Sequence, residues 1–189
     1  MCRNITVSHN SIYNTPRAGI NISEGTWGGH IIEYNDIFNT VKETGDHGTI
    51  NSWGRDRFWH PNYNVMTQIT DENPALILAD VVEPIIIRHN RLRCDRGWDI
   101  DLDDGSSNYQ IYNNLCLNGG IKLREGFYRT VENNIIVNNT LHPHLWFKNS
   151  GDVFSRNIVM TKYKPIRVYG WGREVDLSLI HISEPTRPY

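Results

Sequence analysis

The pattern apolar-x-x-Asn-x-apolar recurs six times along the chain, and it limits what the sequence can fold into more than any other feature. It reads Val7-x-x-Asn10-x-Ile12, Ile32-x-x-Asn35-x-Ile37, Ile87-x-x-Asn90-x-Leu92, Ile111-x-x-Asn114-x-Cys116, Val131-x-x-Asn134-x-Ile136 and Phe154-x-x-Asn157-x-Val159. A second Asn follows four residues later in several repeats, at Asn14, Asn39, Asn118 and Asn138. Each repeat then runs through a turn into another alternating stretch. These begin at Gly19, Gly48, Gly97, Gly120, His144 and Pro165. Alternation of period two marks a strand with one buried face, and such strands repeating every ~20–25 residues describe one turn of a solenoid. Asn suits the turn by tolerating the left-handed backbone region, and stacked amides can hydrogen-bond along the axis. The expected fold is all-β, a right-handed parallel β-helix of about six to seven coils, incomplete at both ends.

Composition excludes several alternatives. A hydrophobic fraction of 39% can build a core, and a net charge of -2 gives no sign of a nucleic-acid or anionic-membrane partner. No apolar run approaches the ~20 residues that span a bilayer. Six Trp and nine Tyr suit sugar binding better than a helical bundle. The three cysteines, Cys2, Cys94 and Cys116, have no CxxC spacing and an odd count, so they read as free thiols and no metal site is indicated.

Residues 1–176 form one β-helix unit in this reading. The start lies already in repeat sequence. The segment 177–189 contains LSLIHISEPTR, which resembles a translated sequencing adaptor, and it is set aside as non-native.

The repeat is interrupted once, by an insertion at about 51–84 that carries Trp53, Arg55, Arg57 and Trp59. Long loops on a compact solenoid are usually functional, and exposed Trp beside Arg suits stacking on sugar rings. These aromatics can equally pin the loop to the coils. Beside the insertion, Asp46, His47, Thr49 and Asn51 lead into it. In the next coil Asp99, Asp101 and Asp103 are expected on one outer face, with Trp98 preceding them. The coils beyond add Lys122, Arg124 and Glu125, then His144 and Trp146. Three carboxylates in a row repel one another and should raise at least one pKa. An EF-hand is rejected because Gly105 is displaced by one position and Gln110 stands where the closing Glu belongs.

The repeat resembles the right-handed parallel β-helix superfamily over residues 5–168. Its members include pectate lyases, polygalacturonases and several glycoside hydrolases. The segments GDHGTINSWGRDRFW and GWDIDLDDGSSNY look like bacterial carbohydrate-active β-helix proteins, and most like the family with fucosidase and xylanase activities. The resemblance implies a secreted or periplasmic parent acting on a poly- or oligosaccharide.

The leading expectation is therefore a glycoside hydrolase. Its catalytic carboxylates would come from Asp46, Asp99, Asp101 and Asp103. Its sugar contacts would come from His47, Asn51, Trp53, Arg55, Arg57, Trp59, Trp98, Lys122, Arg124, Glu125, His144 and Trp146. No cofactor is expected. One alternative is a lyase on uronate polymers, using Ca²⁺ or a basic side chain and a Lys, Arg or His base. Another is a non-catalytic glycan-binding β-helix.

Overall fold

A computed structural model describes residues 2–24, 27–147 and 149–161. The chain winds as a right-handed parallel β-helix of about six coils, with three parallel sheets running along its length. The first sheet contains β1 (Thr6–Ser8), β4 (Ile31–Glu33), β7 (Ile85–Arg88), β10 (Tyr109–Tyr112), β13 (Arg129–Glu132) and β16 (Val153–Ser155). The second contains β2 (Ser11–Tyr13), β5 (Asp36–Phe38), β8 (Arg91–Arg93), β11 (Leu115–Cys116), β14 (Ile135–Ile136) and β17 (Ile158–Val159). The third contains β3 (Ile20–Ile22), β6 (Gly48–Trp53), β9 (Trp98–Asp103), β12 (Ile121–Leu123) and β15 (Leu141–Pro143). The alternating stretch expected at Pro165 lies outside the described residues, as does the segment 177–189.

The apolar positions of the repeat face inward and stack coil on coil. Ile32, Ile87, Ile111, Val131 and Phe154 form one internal column. Ile37, Leu92, Cys116 and Ile136 form a second. Cys94 and Cys116 are buried free thiols, as the spacing predicted, while Cys2 is exposed.

The six repeat Asn residues form one continuous ladder. The Oδ1 of each after the first accepts both the backbone N–H and the Nδ2–H of the Asn one coil before. These bonds are 2.9–3.0 Å long from Asn10 through Asn157. Each Nδ2 after the first also donates to a carbonyl of the preceding coil: Asn35 to Val7, Asn90 to Ile32, Asn114 to Ile87, Asn134 to Ile111 and Asn157 to Val131. The left-handed residue of this turn is the one before the Asn, which corrects the sequence reading. His9, Tyr34, His89, Asn113, Asn133 and Arg156 all have φ between 54° and 59°. The Asn is selected for its side-chain amide, and its neighbour bears the backbone strain.

The long interval in the repeat is one coil plus an insertion. Strand β4 pairs directly with β7 in register Ile32↔Ile87, so the intervening chain loops outward. That loop holds a helix, α1 (Tyr63–Glu72), and a 3-10 turn, Pro74–Leu78, neither of which the sequence reading anticipated. Asn62 caps α1 by accepting from the Asn64 N–H at 3.0 Å. Met66 and Ile77 of the insertion pack with Phe58, Phe127 and Phe147 in a second apolar cluster. Phe58 thus pins the loop to the coils.

Replacing Asn90 by Ala should strand the Asn35 amide and the Ile32 carbonyl in the interior. At ~1–3 kcal/mol for each unsatisfied buried group, the loss should reach about 2–4 kcal/mol in urea melts. Asn10→Ala, at the exposed first rung, should cost about 1 kcal/mol or less. Equal losses at the two positions would contradict a ladder that derives its strength from burial.

Candidate functional site

The third sheet carries the polar constellation on its outer face. Strand pairing sets the outward residues in one row across five coils: Asn21, Asn51, Asp101, Lys122 and His142. Asn51 is buried. Its Nδ2 donates to Asn21 Oδ1 at 3.1 Å, and its Oδ1 accepts the Gly48 N–H at 3.2 Å. Gly48 admits Asp101 closely, since a Cβ there would fall 2.7 Å from the Asp101 Cβ.

Lys122 is the centre of the row. Its Nζ lies 2.9 Å from Asp101 Oδ1 and 3.3 Å from Asp103 Oδ2, and the Trp98 ring covers it at 4.2 Å. The Lys122 side chain is 2% exposed and that of Asp101 0%. Asp103 is more open, at 16%, and also pairs with Arg124 Nη1 at 2.9 Å. The two carboxylates sit in different electrostatic settings. Burial pushes Asp101 up to about 7, against the pull of Lys122, with the Asp103 charge adding to the rise. Asp103 is also opposed by burial, but Lys122 and Arg124 together hold it below the ordinary carboxylate range. The Oδ2 of Asp101 is buried and has no hydrogen-bond partner among the described residues.

Asp99 does not share this face. The backbone N–H groups of Asp99 and Ile100 both donate to Gly120 O, at 3.0 and 3.2 Å. Two residues facing one carbonyl make a bulge, which breaks the alternation at the start of β9. Trp98 is thereby turned over Lys122, and the Asp99 carboxylate points into the turn. There it accepts from the N–H groups of Cys94, Asn118, Gly119 and Gly120 at 2.7–3.1 Å. Burial raises the Asp99 pKa and these four donors oppose the rise. Asp99 is an anchor for the turn. Thr49, its neighbour one coil before, is likewise buried and bonds Thr40 Oγ1 at 2.8 Å.

A second ionic layer joins the row to the insertion. Arg124 reaches Asp103, Asp104 at 3.3 Å, Glu125 at 2.9 Å and the Tyr63 hydroxyl of α1 at 3.1 Å. Arg55 pairs with Asp104 at 2.6 Å and lies over the Trp59 ring at 5.3 Å. Trp59 Nε1 donates to Glu125 Oε1 at 3.2 Å while the indole packs against the second apolar cluster. Of the two roles weighed for it, these contacts show the one that pins the loop to the coils. Burial raises the Glu125 pKa despite the adjacent Arg124.

The remaining expected residues divide. Asp46 is exposed at the entrance to β6, and its charge is felt by both Asp101 and His47. His47 and Trp53 sit at the N-terminal end of the same face. Arg57 is turned away and pairs with Asp80 inside the insertion. His144 meets the Trp98 ring edge-on at 5.7 Å, and burial beside Lys122 lowers its pKa to about 4. Trp146 lies beyond the strand, which ends at Pro143, and its half-buried indole packs on the main core.

Three contributors were missed: His142, Asp104 and Tyr63. The signal for His142 was present, because the 20-residue interval from Asn114 to Asn134 also carries Lys122 onto His142. Among the described residues, no group of three or more His, Cys, Asp and Glu is placed to hold a metal ion. No family model, curated protein or solved structure matches the chain.

Lys122→Met should leave Asp101 buried without its counter-ion. Because the folded-state pKa of Asp101 is raised, its ionisation costs stability. That cost is absent below the unfolded value and grows as pH rises toward 7. The variant should lose about 3–5 kcal/mol in urea melts at pH 8 and clearly less at pH 5. Asp101→Asn in the same background should recover most of the loss. An equal deficit at both pH values would contradict the assignment.

Proposed function

We propose that the protein is a glycoside hydrolase acting on a polysaccharide or oligosaccharide, with Asp101 and Asp103 as its catalytic pair. The reading rests on one observation: Lys122 bridges two carboxylates of one strand whose surroundings drive their proton affinities apart. Such a split is what assigns an acid and a base within a pair. A bridge through one nitrogen keeps the two oxygens within about 6 Å. That ceiling lies below the ~6.5–9.5 Å of inverting glycosidases and admits the ~5–5.5 Å of retaining ones.

Asp101 then protonates the glycosidic oxygen as the leaving sugar departs, and the Asp103 carboxylate attacks the anomeric carbon to form a glycosyl ester. Asp101, now ionised, takes a proton from water, whose oxygen cleaves the ester with net retention. Asp101 is closed to solvent in the free protein, so a sugar reaches it only when the side chains around it part. Lys122 and Arg124 hold Asp103 ionised for attack.

A broad glycan panel assayed for reducing ends tests the reading. Asp101→Asn and Asp103→Asn should each lower kcat by about 10²–10⁴-fold. The wild-type rate should fall as pH rises through about 7, where Asp101 loses its proton. Near-normal turnover in either variant would sink the assignment. An unsaturated, ultraviolet-absorbing product from a uronate polymer would favour a lyase. Binding with no turnover of any glycan would favour a non-catalytic module.

A further inference from the structure

Most cations on the third sheet's outer face are neutralised. Lys122, Arg124 and Arg55 all have carboxylate partners. Arg17, at the N-terminal end of the same face, is different. It is exposed, and no carboxylate lies within ion-pair distance of it among the described residues.

Arg17 is nonetheless held in place. Its Nε donates to His47 Nε2 at 2.7 Å, and its guanidinium lies over the Trp53 ring at 5.2 Å. Since Arg can only donate, His47 Nε2 must be the unprotonated nitrogen. The Nδ1–H then donates to Thr44 Oγ1 at 3.1 Å. Trp53 is fixed in turn, with Nε1 donating to Glu24 Oε2 at 2.6 Å. With Nε engaged, the two terminal nitrogens of Arg17 form an outward fork beside a flat indole. The fork belongs to the same face as the carboxylate pair. His47 is followed directly by Gly48, which abuts Asp101, and the charges of Lys122 and Asp103 both reach His47.

We infer that Arg17, positioned by His47 and Trp53, is a subsite for an anionic sugar residue, one bearing a carboxylate or a sulfate, lying next to the bond held at Asp101 and Asp103. The planar fork matches either oxyanion in two parallel hydrogen bonds, and Trp53 offers the sugar ring an apolar wall. Among the described residues, Glu24 is the acidic group hydrogen-bonded into this cluster, and the Asp46 charge also reaches His47; both oppose an anion there. This inference rests on the saccharide reading of the face.

Calorimetric titration with an oligogalacturonate, a sulfated galactan oligosaccharide and a neutral xylo-oligosaccharide tests it. At least one acidic ligand should bind about tenfold or more tightly than the neutral one, and which one does so separates carboxylate from sulfate. Arg17→Gln should remove that preference and leave neutral binding unchanged. Arg17→Lys should restore only part of it, since a point charge replaces the fork. Glu24→Gln, which can still accept the indole N–H, should strengthen acidic binding severalfold. Urea melts of each variant should match wild type, because Arg17 and Glu24 are exposed.

A wild type without acidic preference, or an Arg17→Gln variant that keeps it, overturns the inference even if Asp101→Asn abolishes turnover. Acidic preference lost in Arg17→Gln, in a protein that turns over no glycan, supports the subsite and removes the hydrolase reading. Failure to bind any of the three ligands overturns the subsite.

Discussion

The side-chain amide ladder from Asn10 to Asn157 is the interaction on which the rest of the molecule depends. Each rung closes the same turn in the same way, and in doing so fixes where the next coil begins. It also holds a left-handed residue at every turn, including bulky ones such as Tyr34 and Arg156. Such a conformation costs of order 1 kcal/mol at each position and persists only where its surroundings over-determine it. The two fully paired neighbours of each inner rung supply that constraint. On the outer side, His9, Tyr34 and His89 stack ring on ring at 4.9–5.1 Å, so the strained residues also support one another.

Because the ladder fixes the register, it also fixes which charges meet on the third sheet. Asp101 and Lys122 are exact register partners, and the turn length between them brings Trp98 over the ammonium. Burying an ion pair is expensive, and such pairs are weak evidence for stability in themselves. Here the arrangement leaves Asp101 Oδ2 without a hydrogen bond, while Asp99, two residues earlier on the same strand, has four backbone donors. A scaffold able to satisfy one buried carboxylate so fully leaves its neighbour under-satisfied. That contrast is the physical basis for reading Asp101 as functional and Asp99 as structural.

The fold was legible because Asn spacing and period-two alternation report the same coil twice, once through the turn and once through the strands. The outer face was legible only where that alternation held. It failed at Asp99, where the Gly120 carbonyl takes two N–H donors, and at Trp146, where the strand had already ended. The insertion's helix was hidden by its β-branched residues, Val65, Thr67, Ile69 and Thr70, which read as strand; Pro61 and the cap at Asn62 were its only clear markers. In the ionic layer, Arg55 meets Asp104, Arg124 meets Asp104 and Trp59 meets Glu125, residues far apart in sequence. No local pattern encodes such pairings, so the sequence could supply the residues but not their partners.

The central claim is that the scaffold divides one proton-binding pair into a carboxyl and a carboxylate. Side-chain carboxyl ¹³C chemical shifts, followed through a pH titration of Asp-labelled protein and assigned with Asp101→Asn and Asp103→Asn, test it directly. The account predicts that Asp101 remains protonated to about pH 7 while Asp103 stays ionised below the usual carboxylate range. Two resonances titrating together near 4 would contradict it.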